Sequence, residues 1–274
     1  MDQPTTSNRS RPIGVFDSGI GGLTVAAELR RLLPREAIYY IGDTARLPYG
    51  GKSQATIERY STEISSLLLA QNAKMIVVAC NTASALAIPR LETTLPVPVT
   101  GVILPGARAA VATTVNGHVG VIGTRGTVRS GAYERAIHAI ASEVRVTSRA
   151  CPMLVPAIEE GWLETPITDS IIAQYLGDLA GSGIDTLVLG CTHYPLLKPA
   201  LARFLGPGIR LVDSAENCAI AVRELLAQHQ IAAPENAKGT LQVALTDASD
   251  GFLPVAEKAL GLAVGKVSLV EVQR

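Results

Sequence analysis

The sequence predicts an α/β chain of two similar, open, mainly parallel-sheet domains, with the active site in the cleft between them. Three observations carry this. Short apolar runs alternate with helical patterns from residue 13 onward, the mark of parallel strands joined by crossover helices. Two of the runs, Met75–Ala79 and Thr186–Gly190, lead directly into a cysteine, Cys80 and Cys191. Each cysteine precedes small hydroxyl or amide residues, Asn81-Thr82 in one case and Thr192 in the other, and then a new helical pattern. Both thiols are therefore expected at the carboxyl edge of a strand, where open α/β sheets bind ligands.

The bulk properties narrow the function classes. A chain of 274 residues with 47% hydrophobic and 18% charged residues can bury a sizeable core, which argues against disorder. Lys+Arg and Asp+Glu both number 24, so no net field attracts a nucleic-acid backbone or an anionic membrane. No apolar run reaches transmembrane length. Residues 1–11 are polar and lack the apolar centre of a signal peptide, and they are expected to be a disordered lead-in to a cytoplasmic protein. Cys80, Cys151, Cys191 and Cys218 show neither CxxC nor zinc-type spacing, so no metal is expected, and a reducing compartment argues against disulfides.

In chain order, Ile13–Asp17 predicts a strand, followed by the turn Ser18-Gly-Ile-Gly-Gly22 and a helix to about Leu33, stopped by Pro34. Ile38–Asp43 predicts a second strand and Thr44–Ser53 a polar loop. A helix over 54–72, the first cysteine strand and a helix over 82–95 follow, with Pro96 and Pro98 marking the crossing between halves. The second half repeats the alternation. Strands are expected at 99–103, 118–123, 144–148, 186–191 and 209–213, and helices at 105–114, 127–141, 165–182 and 196–205. Pro152–Glu164 reads as irregular. The tail offers a helix at 215–229, a strand at 241–245, a helix at 251–260 and a strand at 266–272, and it either extends the second half or returns to the first.

The turn after Asp17 gathers backbone N–H groups at a helix start, which favours a carboxylate ligand. Its glycines do not fit the G-x-G-x-x-G dinucleotide pattern. A single strand-end cysteine reads as core packing. Two in matched settings, each before a helix whose dipole lowers a thiol pKa, read as a reactive pair. Cys151 and Cys218 lack such neighbours and read as packing. A thiol near its reference pKa is scarcely ionised at neutral pH and needs a charged helper. Asp17, Asp43, Glu159 and His193 are the candidates, with a capping role open for Asp17 and Asp43. Tyr49-Gly50 is either a plain turn or a substrate contact.

Four segments together resemble the glutamate racemases of the aspartate/glutamate racemase family: Phe16-Asp-Ser-Gly-Ile-Gly-Gly22, Leu47-Pro-Tyr-Gly50, Cys80-Asn-Thr-Ala-Ser84 and Gly190-Cys-Thr-His-Tyr-Pro195. The resemblance implies a cofactor-independent enzyme that interconverts L- and D-glutamate and supplies D-glutamate for peptidoglycan. It implies that Cys80 and Cys191 are the two acid/base thiols, Cys80 acting on D-glutamate and Cys191 on L-glutamate. It implies substrate contacts from Asp17, Ser18, Tyr49, Gly50, Asn81, Thr82, Thr192 and His193. Asp17 is implied as the helper of Cys80, Glu159 (or its neighbour Glu160) and His193 as helpers of Cys191, and Asp43 as an accessory carboxylate. It also implies that the tail packs back on the first domain, giving 1–98 plus 214–274 as one domain and 99–213 as the other. The expected partner is the small-molecule substrate, with no nucleic acid and no membrane; the resemblance leaves a homodimer open. An aspartate or related amino-acid racemase, and a non-catalytic amino-acid-binding protein of the same fold, remain the alternatives.

Overall fold

The computed structural model describes residues 6–247, 257, 261 and 267–272. Its strands are β1 (Ile13–Asp17), β2 (Ile38–Gly42), β3 (Met75–Val78), β4 (Val99–Gly101), β5 (His118–Gly123), β6 (Arg145–Ala150), β7 (Thr186–Gly190), β8 (Arg210–Asp213), β9 (Leu241–Leu245) and β10 (Val267–Leu269). Among the described residues they form a six-stranded sheet ordered β10-β9-β2-β1-β3-β4 and a four-stranded sheet ordered β6-β5-β7-β8. Every pairing is parallel. β1, β3, β5 and β7 are buried along their whole length and mainly apolar, as strands covered on both faces are. β6 is an edge strand and carries the exposed Arg145.

The two sheets share one winding rule. In the first, the chain passes from β1 outward to β2, then returns to β3 and β4 on the other side. In the second it passes from β5 to β6, then returns to β7 and β8. Before the tail, each sheet reverses direction once, between β1 and β3 and between β5 and β7. At such a reversal the crossover helices diverge to opposite faces and open a crevice beyond the strand ends. Cys80 follows β3 and Cys191 follows β7, so each thiol sits at the switch point of its own sheet. The register places their neighbours. Val78 pairs with Phe16, so Asp17 and Cys80 leave adjacent strands at one edge. Gly190 pairs with Gly123, which brings Thr124 beside Cys191.

Sheet membership moves one boundary. Val99–Gly101, assigned from sequence to the second half, pairs with β3 in the first sheet. The run is apolar and short, and nothing in its composition distinguishes the two sheets. The tail strands join the first sheet, with β9 on β2 and β10 on β9. The helix Ser214–Gln228 packs against the helices Leu23–Leu32 and Ile103–Thr113. Its Ala215, Cys218 and Val222 lie in one continuous core with residues of both sheets, including Val77 and Leu189. Cys218 is packing, and all four cysteines are free thiols.

Other elements differ in detail. The helix expected over 127–141 is two helices, Arg125–Arg129 and Ala132–Ile140, parted at Gly131, whose φ of 63° is left-handed. The stretch 152–164 contains a short helix, Leu154–Glu159. The polar loop after β2 holds two single turns, Thr44–Arg46 and Tyr49–Gly51. The disorder expected for residues 1–11 does not extend to the described part. Thr6–Arg9 is a helical turn, and Arg9 Nε donates to the Ala232 carbonyl at 2.8 Å. The helix expected over 251–260 lies outside the described residues apart from Glu257. No helix of the described residues is long and apolar enough to cross a membrane.

Candidate active site

The crevices of the two sheets merge into a cavity of about 440 Å³. Cys80, Asn81, Ser18 and the loop Leu47–Gly51 line it from the first half, and Cys191, Thr192, His193, Glu159 and Thr124 from the second.

On the first side, Cys80 caps the helix Asn81–Thr94, and the Ala83 N–H is directed at its sulfur. Its thiol donates to Ser18 Oγ at 3.7 Å. The helix start alone predicts a lowered thiol pKa here. Burial, reinforced by the charge of Asp17, instead pushes the Cys80 thiol up to about 12. Asp17 is wholly buried, accepts the Gly19 N–H at 3.0 Å and faces the Thr192 hydroxyl at 3.4 Å. Burial raises its pKa, against the opposing pull of the His193 charge and the local N–H donors. Asp17 is absent from the cavity wall and stands behind Cys80 and Thr192.

On the second side, Cys191 is followed by the single turn Tyr194–Leu197 before the helix Lys198–Leu205, so it lacks the immediate α-helix start that Cys80 has. Its electrostatic partner is a side chain instead. Cys191 Sγ lies 3.8 Å from His193 Nδ1, and His193 Nε2 lies 3.2 Å from Glu159 Oε1. Burial opposes the charged imidazole, but the Cys191 sulfur, the Glu159 carboxylate and Asp17 outweigh it and hold His193 at about 10. Protonated, His193 sets a positive charge beside the sulfur. Of the two adjacent glutamates, Glu159 lines the cavity and meets His193; Glu160 is not in the wall.

Two glycines let the halves approach. A Cβ on Gly21 would lie 2.4 Å from the His193 ring and 2.7 Å from Thr192 Oγ1. A Cβ on Gly50 would lie 2.7 Å from Thr124 Cβ. Across the cleft, Thr82 Oγ1 lies 2.9 Å from Thr124 Oγ1 and 3.3 Å from Thr127 Oγ1. Tyr49 lines the cavity, but its hydroxyl is bonded to Asp43. Asp43 also accepts from Arg46 Nε at 2.7 Å and Thr246 Oγ1 at 2.9 Å. The accessory carboxylate therefore stands outside the wall and braces the Tyr49-Gly50 loop from behind.

Sequence reasoning missed Thr124, Arg125 and the apolar wall of Met153 and Val155. Thr124 was discoverable: it follows a buried strand as Cys80 and Cys191 do, and caps a helix by accepting from Thr127 N at 3.2 Å. Asn81 supplies a further signal. Its amide Nδ2 is buried and has no hydrogen-bond partner among the described residues. Such a donor beside Cys80 suits an anionic ligand atom. No group of three or more His, Cys, Asp or Glu among the described residues is arranged to hold a metal ion.

A parallel α/β pair with one thiol at each switch point, facing one cavity, defines an amino-acid racemase scaffold. The chain belongs to the Asp/Glu/Hydantoin racemase family, whose model matches residues 15–224. Among its relatives is the glutamate racemase of Geobacter metallireducens, 49% identical over 263 residues, covering 96% of this chain and 97% of the relative. Among solved structures, a glutamate racemase isoform from Bacillus anthracis aligns with TM-score 0.90 at 41% identity, covering 97% of this chain and 98% of the other. The glutamate racemase of Francisella tularensis, solved in complex with D-glutamate, aligns with TM-score 0.88 at 35% identity over 96% of this chain and 98% of the other.

Proposed function

We propose that this chain interconverts L- and D-glutamate without a cofactor, by proton transfer at Cα between Cys80 and Cys191. The observation that carries this is one cavity lined by a thiol from each half. Relatives at 49% identity that bear the name glutamate racemase support the choice of substrate.

Inversion needs a proton taken from one face of Cα and another returned to the opposite face. Groups held on both faces spare the substrate any rotation. In one direction the Cys191 thiolate takes the α-proton of L-glutamate while the Cys80 thiol donates its own to the other face. The Cα–H and S–H bonds break as a new S–H and a new Cα–H form, and the two sulfurs exchange protonation state. The reverse reaction starts from the Cys80 thiolate and D-glutamate.

The carbanion needs its charge drawn into the α-carboxylate, and donors fixed in a dry site do this best. Asn81 Nδ2 and Ser18 Oγ, both at the cavity, are suited to it. Thr82 and Thr192 hold their hydroxyls in hydrogen bonds at the wall and shape the pocket. His193 supplies a positive charge beside Cys191, and Glu159 fixes its ring. The substrate ammonium brings a positive charge that offsets the burial of a Cys80 thiolate. The D-glutamate formed is the material that the family resemblance assigns to peptidoglycan.

Chiral assay of the Cys80→Ser and Cys191→Ser variants tests this. Each is expected to lose at least about 1000-fold in kcat, because a serine hydroxyl is a far weaker acid and base at neutral pH. Near-normal turnover by either variant contradicts the assignment. Faster wild-type turnover on aspartate than on glutamate would transfer the reading to that substrate.

A further inference from the structure

Tyr133 belongs to the second half, in the helix Ala132–Ile140, yet its hydroxyl reaches into the first. It donates to Asn81 Oδ1 at 2.7 Å. Its ring is 2% exposed and sits between two glycines. A Cβ on Gly106 would come within 3.1 Å of one ring edge, and a Cβ on Gly190 within 3.1 Å of the other. Gly190 is the residue before Cys191, and Asn81 is the residue after Cys80. One side chain thus touches the neighbours of both thiols.

The hydroxyl favours one facing of the Asn81 amide, with Oδ1 toward Tyr133. A phenol O–H can donate only one hydrogen bond, and here it goes to Oδ1. The Ser214 hydroxyl faces the same phenol oxygen, and burial keeps the phenol protonated, so the donor is always present. With Oδ1 pinned, Nδ2 is the end left without a partner. Rotation of the amide by half a turn would present an oxygen to an anionic ligand, exchanging attraction for repulsion. We propose that Tyr133 is a positioning residue for racemisation, orienting Asn81 so that its Nδ2 donates to the substrate carboxylate and bracing the Cys80 segment against the Cys191 segment. The proposal rests on Asn81 acting as a carboxylate donor.

Tyr133→Phe keeps the ring and its packing and removes only the oxygen. Steady-state kinetics of Tyr133→Phe, Asn81→Ala and the double variant test the proposal. Tyr133→Phe is expected to lower kcat/KM about tenfold, the scale of one hydrogen bond acting through a charged transition state. The loss should fall mainly on kcat, because the carboxylate charge grows as Cα is deprotonated. Asn81→Ala should lower kcat/KM further, on the order of 100-fold. The double variant should equal Asn81→Ala, since Tyr133 then has nothing left to orient. A Tyr133→Phe enzyme within twofold of wild type beside a damaged Asn81→Ala enzyme overturns the positioning role alone. Losses that multiply in the double variant overturn it too, because a merely structural tyrosine would act independently. A fully active Asn81→Ala enzyme overturns both this role and the carboxylate-donor reading it rests on.

Discussion

Cys80 and Cys191 carry the same sulfur in different company. Cys80 has a helix start, a serine hydroxyl and a buried carboxylate around it, and burial dominates. Cys191 has the His193 ring beside it, held in turn by Glu159. This asymmetry does not bias the overall reaction. Enantiomers have equal free energy, so kcat/KM must be the same from either side, and environment can divide only kcat from KM. The same residues set the stability of the fold against pH. Cys80, Cys151 and Cys218 are each held at about 12, above their ordinary value of 9.0. A group raised on folding contributes stability that is complete below its unfolded value and is lost as pH climbs through its folded value. For these thiols the loss runs from about pH 9 toward 12. For His193, raised from 6.5 to about 10, it starts near neutrality. Melting temperature is therefore expected to decline from pH 7 and to fall more steeply above pH 9. Calorimetry between pH 7 and 10.5 checks this, and a flat profile contradicts it.

Among elements, the turn after β1 and the turn after β7 must pass closer than side chains allow, and Gly21 is what permits it. Gly21→Ala would drive a methyl group into the His193 ring. Overpacking of this kind costs about 1–3 kcal/mol in stability. Displacement of His193 from Cys191 should cost more in rate, roughly 100-fold in kcat. Thermal melting and chiral kinetics on one preparation separate the two effects. A variant with wild-type kcat would show that the approach of the turns is unimportant. The strand and helix alternation was legible because buried parallel strands are apolar throughout, and Met75–Val78 and Thr186–Gly190 read that way. The two cysteines were legible because a strand end and a run of hydroxyls mark a site locally. Depth was not. Asp17 and Asp43 look alike in sequence, each closing a strand, yet neither reaches the cavity wall, and only Asp17 stands behind a thiol. Thr124 carried the strand-end signal but is easily passed over, because a threonine before a helix also reads as a cap, which it is. Tyr133 was hidden because its partner Asn81 lies 52 positions away.

At the scale of the molecule, two copies of one winding pattern place their switch points against each other. β1 and β3 open one crevice, β5 and β7 the other, and the shared core around Ser214–Gln228 holds them together. The tail strands β9 and β10 widen only the first sheet, which is why the halves differ in size while their centres correspond. The proposed function rests on the doubling: a single sheet supplies one thiol to the cavity, and two sheets supply one each, which the proposal sets on opposite faces of the substrate. Racemisation of L-glutamate in deuterium oxide, stopped at low conversion, tests this directly by mass spectrometry of the separated enantiomers. The D-glutamate formed should carry one deuterium at Cα, while the recovered L-glutamate keeps its hydrogen, because the proton removed on one side is not the one returned on the other. D-Glutamate that retains the original hydrogen would mean a single base working on one face, and would contradict the account.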